Sequence, residues 1–308
     1  MQLEQELVVL DHNRDSLVTI GVFDGVHLGH KYLISQLKEL AKKQGLQAAV
    51  ITFDKHPQEI LNPGFHPLYL IDIIEKEALL KNEGVDSVII LTFTEELANL
   101  SAKDFLSLLK MRIKMHGMVV GPDFAFGRNT EGNIKTIQRL SAEMDFSLTI
   151  VPPMMLENEI VSSTAIRYAL INGKMDQVKK LLGRPFSLHG KVLHGQGRGI
   201  NLGFPTLNLK PLSGQLLPPE GVFITKTIID KKYYLSITNL GNNPTFGNPE
   251  PTVETFLLDI NGHFYNQEIK VEFIHKIRGE IKFKDTEELK KQIAKDIEQT
   301  RIYFLNHK

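Results

Sequence analysis

The chain has 308 residues, of which 42% are apolar and 23% charged, and its 36 Lys and Arg side chains balance 36 Asp and Glu side chains. This composition is typical of globular proteins, and it excludes disordered, collagenous and coiled-coil classes and a global field favouring nucleic acid or anionic membrane. Without any Cys, disulfides, thiolate nucleophiles and Cys-ligated zinc are excluded too. The length predicts two domains. An acidic N-terminus and the lack of any apolar run of about 18 residues predict a cytoplasmic protein with neither secretory signal nor membrane span.

In the first half of the chain, short β-branched runs alternate with amphipathic stretches, which predicts an α/β domain with a parallel sheet and flanking helices. The predicted strands cover residues 17–21, 48–53, 87–93, 118–121 and 147–151. The predicted helices include residues 30–43, 102–115, 164–172 and 175–182. Gly183, Arg184 and Pro185 interrupt this pattern. We therefore predict two domains, residues 1–185 and 186–308.

The second half has a different sequence pattern, in which Gly-rich and Pro-rich turns separate strand-like runs. These runs cover residues 188–193, 222–229, 233–238, 253–260 and 269–275. Their spacing predicts a small antiparallel β-barrel, with hairpin turns at Asn261-Gly262 and at residues 230–232. A helical pattern over residues 286–304, with Thr286 as its N-cap, predicts a C-terminal helix packed on the barrel.

Two histidines stand where the first predicted strand passes through a Gly-containing turn into a helix. The i, i+3 spacing of His27 and His30 puts both rings on one side of the helix N-terminus, where the helix dipole and unpaired amides favour anionic oxygen. Gly21 and Gly29 permit close backbone approach, so the segment predicts a polyphosphate site with two possible cations. An isolated His is more often structural, but this spacing and context favour phosphate binding. Neither a P-loop nor a Rossmann dinucleotide fingerprint is present.

The segment His27-Leu28-Gly29-His30 resembles the HxGH signature of the nucleotidyltransferase superfamily, whose members transfer an adenylyl group from ATP. Residues 52–57, 123–127 and 162–167 resemble three further segments, in order, of the FAD synthetase module of bacterial bifunctional flavin enzymes. The resemblance implies a Rossmann-like nucleotidyltransferase domain that converts FMN and ATP into FAD. It implies catalytic roles for His27, His30 and Arg167, ATP or phosphate binding by Gly21, Phe23, Gly29, Ser162, Ser163 and Thr164, and flavin or nucleotide contacts by Asp123 and Phe124. Taken alone, Ser163 is equally well a helix cap and Arg167 a solvated side chain.

The densest Gly region of the chain covers residues 195–208 and leads into a short predicted strand. The amides of such a loop can wrap phosphate, and Thr206 and Asn208 offer neutral oxygen ligands to Mg²⁺. The phosphate contacts are assigned to Gly195, Gly197, Gly199, Thr206 and Asn208, and the metal contacts to Thr206 and Asn208. From the glycines alone, a plain β-turn is the more common explanation.

The same region resembles the GFPTxN signature of riboflavin kinases, and residues 241–246, 252–259 and 277–283 resemble later kinase segments in order. The resemblance implies that Glu254 is the general base for the ribityl 5′-hydroxyl, and that Arg278 and Phe283 lie beside the flavin. Val22, Asn243, Phe256 and Asn266 depart from the residues usual in these families.

Together the two sets of motifs span most of the chain. They predict a bifunctional transferase that phosphorylates riboflavin to FMN and adenylylates FMN to FAD, with ATP as co-substrate and Mg²⁺ as metal, and with no nucleic acid or membrane partner. Two alternatives stay open: an adenylyltransferase whose barrel has decayed into a flavin sensor, and a protein that stores or senses flavin without turnover. No oligomeric state follows from the sequence.

Overall fold

The computed structural model describes residues 2–7, 14–62, 64–195, 199, 202–212, 214–242, 251–260, 262 and 264–307. Its internal contacts divide the chain into two compact units, Met1–Ser163 and Thr164–Lys308. This division precedes the domain boundary predicted near residue 185, and it groups most of the two helices before that boundary with the second unit.

The first unit is built around a five-stranded parallel sheet. The strands of this sheet are β1 (Ser16–Ile20), β2 (Gln47–Phe53), β3 (Ser87–Leu91), β4 (Met115–Val120) and β7 (Ser147–Ile150). Two short hairpins are formed by β5 (Ala125–Phe126) with β6 (Gly132–Asn133) and by β8 (Met155–Leu156) with β9 (Glu159–Ile160). The sheet order is β3-β2-β1-β4-β7, which confirms all five predicted strands. Successive crossovers run in opposite directions from β1, so the carboxyl ends of β1 and β4 border the crevice where such sheets bind ligands.

The α-helices whose bounds lie within the described residues are α1 (Gln2–Glu6), α2 (Leu28–Gln44), α3 (Pro57–Leu61), α4 (Ile73–Asn82), α5 (Glu95–Asn99), α6 (Ala102–Ile113), α7 (Ile134–Glu143), α8 (Ser163–Ile171), α9 (Met175–Leu182) and α10 (Thr286–Asn306). In the first unit they cover both faces of the sheet. Strand β1 shows why: Leu17 belongs to one buried apolar cluster and Val18 to the other, and all five residues of the strand are buried. A strand buried on both faces is typical of a parallel sheet. No helix among the described residues is both long enough and apolar enough to cross a membrane.

The second unit contains the predicted antiparallel barrel and C-terminal helix. Its strands are β10 (Phe186–Leu193), β11 (Thr206–Pro211), β12 (Gly221–Ile229), β13 (Lys232–Asn242), β14 (Pro251–Leu257) and β15 (Glu268–Arg278). They close in the order β10-β11-β14-β13-β12-β15. Phe273 contacts both Phe186 and Phe223, and all three rings are fully buried, so the barrel interior is a packed core.

Of the two predicted barrel turns, one is confirmed and one is wrong. Ile229 pairs with Lys232, and Asp230 and Lys231 between them have φ of 47° and 65°, the positive values that a two-residue type I′ turn requires. A hairpin at Asn261-Gly262 would make β14 and β15 neighbours, but β14 pairs with β11 and β13, and β15 with β10 and β12. Asn261 itself lies outside the described residues.

The predicted cap of the C-terminal helix is also wrong by one residue. Asp285 is the N-cap of α10, and its carboxylate accepts a hydrogen bond of 2.8 Å from the Glu288 amide. Thr286 is the first helical residue. Both types are good caps, and the extended backbone of Asp285 places its carboxylate over the free amides.

Candidate active sites

His27 and His30 lie face to face at the start of α2, as their spacing predicts. Their ring centroids are 3.6 Å apart and the ring planes differ by 17°. His27 is the N-cap of the helix, and its Nδ1 accepts a hydrogen bond of 3.2 Å from the His30 amide. An accepting Nδ1 leaves Nε2 as the protonated nitrogen of a neutral ring, so the cap fixes the tautomer that can donate to phosphate.

His30 is held in its neutral form, so the two rings do not supply two cations. Burial, the neighbouring His27 and the Lys76 ammonium hold the pKa of His30 well below its usual value, in that order of importance. Its Nδ1 is buried and has no hydrogen-bond partner among the described residues. An unpartnered buried nitrogen at a helix N-terminus suits a ligand that supplies the missing partner.

The turn before the histidines is held in an unusual backbone conformation. Phe23 and Val26 have φ of 50° and 37°, which non-glycine residues rarely adopt. The buried Asp24 carboxylate accepts the Leu70 amide at 3.0 Å, and the Ser163 hydroxyl donates to the Asp24 carbonyl at 2.9 Å. Asp24 therefore orients the loop.

The close backbone approach predicted for glycine is visible at Gly29. A Cβ added at Gly29 would come within 2.8 Å of the Val161 carbonyl oxygen and 3.1 Å of the His27 ring. At Gly21 an added Cβ would lie 3.2 Å from the Phe23 ring. Phe23 is only 2% exposed and packs edge-on against His30 at 5.0 Å. Its side chain supports the histidine, so any ATP contact there falls to its backbone.

The other residues assigned to adenylyl transfer lie after strand ends or on the next helix. Asp123 is exposed and Phe124 half-buried, directly after β4, and Phe124 packs on Phe126 at 5.5 Å. Ser162 precedes α8, and Ser163 is its first residue, with its hydroxyl engaged by Asp24. Thr164 and Arg167 follow on α8 in the second unit, exposed and half-buried respectively.

In the second unit, a cavity of about 820 Å³ opens on one side of the barrel wall. It is lined by most of the residues predicted for the kinase, namely Gly195, Gly199, Thr206, Asn208, Glu254, Arg278 and Phe283. Gly197 lies outside the described residues. A cavity of this size with both apolar and polar walls fits a small-molecule ligand.

Strand register places Glu254 at the centre of a polar row in this cavity. Glu254 lies opposite Asn208 on β11 and opposite Asn239 on β13. Val253 and Thr255 point into the barrel and are buried, so the half-buried Glu254 faces the cavity instead. The alternation along β14 thus separates a core face from a functional face.

Two described glycines of the Gly-rich region pack directly against the two proposed metal ligands. The space that a Cβ would need at Gly195 is filled by the Asn208 amide, and at Gly199 an added Cβ would come within 3.2 Å of the Thr206 hydroxyl. Hydroxyl and amide oxygens are ligands that Mg²⁺ accepts, alongside substrate phosphates. The donor set therefore fits a phosphate-bound divalent cation.

Arg278 lines the cavity, but its guanidinium is bound to the C-terminal helix. Its Nε and Nη2 donate to the buried Asp296 carboxylate at 3.0 and 2.8 Å, and Gln292 donates to the same carboxylate at 2.8 Å. Phe283 lies 5.9 Å from the guanidinium. Arg278 thus ties the end of β15 to α10 at the cavity wall.

Sequence reasoning misses three residues that these sites use: Lys76, Asn239 and Asp296. Asn239 and Asp296 line the cavity, and Lys76 is a buried cation close to His30. None belongs to a motif, and only strand register or helix packing reveals them. The weak signal that the sequence offers for Lys76 is its place on the helix face of Ile73, Leu79 and Leu80, three or four residues away.

Comparison with known proteins supports two enzymatic halves. A family model described as FAD synthetase matches residues 9–165, and one described as riboflavin kinase matches residues 182–304. A bifunctional riboflavin kinase/FMN adenylyltransferase of Listeria monocytogenes is 33% identical over 94% of this chain and 93% of its own length. The Escherichia coli protein of the same name is 35% identical over 94% and 92%.

A solved structure shares the complete fold. A crystal structure described as a macrolide-efflux protein from Streptococcus pneumoniae has a TM-score of 0.89 and 32% identity, covering 98% of this chain and 97% of its own. Two family models in tandem and near-complete alignment with curated relatives settle the classification. The chain belongs to the family of bifunctional riboflavin kinase/FMN adenylyltransferases.

Proposed function

We propose that the two reactions of this family are divided between two domains of the chain, residues 1–185 for adenylyl transfer and residues 186–308 for phosphorylation. The chain makes FMN from riboflavin and ATP, and it makes FAD from FMN and a second ATP with release of pyrophosphate. The observation that carries the division is the barrel cavity, which gathers the predicted kinase residues within the second unit. Both steps consume ATP, which supports a location in the cytoplasm.

In the kinase half, Glu254 acts as the general base. It accepts the proton of the ribityl 5′-hydroxyl while that oxygen bonds to the γ-phosphorus of ATP and the bond from the γ-phosphorus to the bridging oxygen breaks, releasing ADP. A position in the middle of β14, paired on both sides, fixes the carboxylate relative to the phosphate. A rigid base of this kind favours a turning-over kinase over a flavin-sensing barrel.

Thr206 and Asn208 are the residues that would hold Mg²⁺ with the phosphates of ATP. The ion would neutralise phosphate charge when bound. Gly195 and Gly199 let the loop backbone lie against these two side chains. This packing aims the oxygens of β11 toward the cavity that Glu254 also faces.

In the adenylyl-transfer half, an oxygen of the FMN phosphate attacks the α-phosphorus of ATP, and the bond to the pyrophosphate oxygen breaks. This chemistry needs alignment and charge stabilisation more than proton transfer. His27 and His30 donate to the transferring phosphoryl group and the leaving pyrophosphate, the α2 amides add to this field, and Arg167 contacts phosphate. Ser162 and Thr164 contact ATP, and Asp123 and Phe124 face the flavin.

The test is the double variant His27→Ala, His30→Ala in the full chain, assayed with riboflavin, ATP and Mg²⁺ by chromatography of FMN and FAD. We expect FAD formation to fall at least about 10²-fold while FMN accumulates, because only adenylyl transfer uses these donors. His116→Ala is the matched control, since His116 is an exposed histidine on β4. Undiminished FAD formation by the double variant would overturn the assignment.

A further inference from the structure

Lys76 is a buried lysine in the second turn of α4, and no motif includes it. Only 4% of its surface is exposed. Its ammonium donates to the Phe53 carbonyl at 2.7 Å and to the Val22 carbonyl at 3.2 Å. Phe53 is the last residue of β2, and Val22 follows the end of β1, the neighbouring strand. The ammonium therefore bridges two strand ends at the adenylyl-transfer site.

Through the Val22 carbonyl, Lys76 binds the start of the turn that has the unusual backbone conformation. Val22 precedes Phe23 and Val26, whose positive φ values are unfavourable for non-glycine residues and persist only where the surrounding structure enforces them. Thr52 also donates to the Val22 carbonyl, at 3.1 Å. Lys76 and Thr52 therefore hold the turn at Val22, and the hydrogen bonds of Leu70 and Ser163 hold it at Asp24.

The charge of Lys76 is retained at neutral pH despite its burial. Burial lowers its pKa to about 8, against the opposing effect of the Asp24 and Asp54 carboxylates. Its positive charge in turn lowers the pKa of His30, which is faced by His27 from its own segment and by Lys76 from α4. The ammonium thus acts on the histidine both through the backbone and through its field.

We propose that Lys76 is a positioning residue for adenylyl transfer: its ammonium anchors the Val22 backbone to the end of β2 and so holds Phe23 and His30 where the phosphates of ATP react. The inference rests on the proposed role of the histidines. Two of its three ammonium donors face backbone carbonyls at the strand ends, and only 4% of the residue is exposed, so Lys76 acts through the backbone and not by direct contact with the reacting atoms. A displacement of about 1 Å at the reacting groups costs on the order of 10²-fold in rate.

The first test compares Lys76→Met with Lys42→Met, which removes an exposed lysine of α2. We expect Lys76→Met to lower kcat for FAD formation from FMN by about 10- to 100-fold, with KM for FMN and ATP within about threefold because no substrate contact is lost. Formation of FMN from riboflavin in the same preparation should be unchanged, which reports an intact protein. An unchanged kcat for FAD formation would overturn the inference.

The second readout is the pH profile, which a merely structural role would not move. We expect the acidic limb of FAD formation to follow the titration of His30, because a protonated ring is disfavoured beside His27 and the Lys76 ammonium and would not keep its place in the site. Without the nearby positive charge the pKa of His30 rises, and the acidic limb of the FAD-formation profile of Lys76→Met should move to higher pH. Histidine ring titration by NMR follows the same group directly. A lowered kcat with an unmoved limb would contradict the proposal.

The absence of Cys permits a chemical rescue. In Lys76→Cys, the single thiol is alkylated in denaturant with 2-bromoethylamine, which restores an ammonium, or with bromopropane, which restores only the length, and both products are refolded beside treated wild type. We expect the ammonium product to exceed the propyl product at least about fivefold in kcat for FAD formation, with equal FMN formation. Equal rates of FAD formation would overturn the role of the charge. Failure of treated and untreated wild type alike to make FAD would instead overturn the function proposed for the site.

Discussion

His27 combines a structural and a chemical task on one imidazole. By accepting the His30 amide it begins α2, and the same bond selects the tautomer that donates from Nε2. Its ring also stacks on His30 and helps to keep that neighbour neutral. His27 thus has the structural role that is common for an isolated histidine, and it also suits the phosphate-binding role.

The residues that depart from the usual family pattern fit their places in the fold. Asn266 has φ of 66°, a conformation that asparagine tolerates better than most residues, so it can replace glycine there. Phe256 packs edge-on against Phe204 at 5.7 Å in the cavity wall. Val22 contributes its carbonyl to Lys76 and Thr52, a contact that any side chain permits. Asn243 lies outside the described residues.

Glu254 provides the sharpest test at the residue scale. Glu254→Gln keeps the size and much of the hydrogen bonding but removes the base, so we expect FMN formation to fall by roughly 10² to 10⁴-fold. Riboflavin binding should change less, and supplied FMN should still be converted to FAD because that chemistry uses other residues. Steady-state kinetics of both steps and circular dichroism check these outcomes.

The matched control is Glu268→Gln, an exposed carboxylate at the start of β15. Near-normal turnover by Glu254→Gln would show that this carboxylate is structural. A variant that loses both activities together would point to misfolding or to coupled domains.

Among the secondary-structure elements, β12, β13 and β14 are joined inside the barrel by a chain of buried hydroxyls. Thr225 bonds to Ser236 at 2.8 Å and to Thr238 at 2.9 Å, and Thr238 bonds to Thr255 at 2.9 Å. All four side chains are fully buried. Each hydroxyl can both donate and accept, so a linear chain of this kind supplies buried hydroxyls with partners without water. The three strands that carry it include β14, which positions Glu254.

Thr238→Val removes the central hydroxyl while keeping the shape of the side chain. We expect a loss of about 1–3 kcal/mol in stability, because the hydroxyls of Thr225 and Thr255 both lose a buried partner. Hydrogen exchange of the β13 and β14 amides, followed by mass spectrometry, measures this loss. Thr286→Val is the control, since Thr286 is exposed on α10. A change in protection no larger than that of the control would contradict the role of the hydroxyl chain.

At the scale of the whole molecule, α9 belongs to the barrel unit although it precedes the predicted boundary. The helix contacts β10 and β15, and Met175, Val178 and Leu181 are buried on it. Asp176 adds a contact to His275 on β15 at 3.4 Å. A fragment that starts after α9 therefore exposes an apolar surface of the barrel.

We predict that a fragment of residues 184–308 phosphorylates riboflavin and makes no FAD, because every residue assigned to the kinase lies within it. A fragment of residues 164–308 should do the same with a Tm higher by at least about 5 °C, since it retains the buried face of α9. Calorimetry and FMN chromatography check both fragments. A folded but inactive 184–308 fragment would overturn the independent domains, and equal Tm values would overturn the role of α9.

The sequence by itself determined the two architectures and the order of the motifs. Local periodicity identified the parallel sheet, the barrel and the C-terminal helix, because buried strands and helices repeat apolar residues at fixed intervals. The spacing of His27 and His30 also determined their juxtaposition, since three residues make nearly one helical turn.

Only the tertiary structure decided how residues distant in sequence meet. Barrel closure places Asn208 and Asn239 on either side of Glu254, and it separates β14 from β15, which overturns the hairpin at Asn261-Gly262. The neutral state of His30 depends on burial and on Lys76, 46 positions further along the chain. Strand order, burial and electrostatic fields arise from packing between elements, and the local pattern of residues encodes them only weakly.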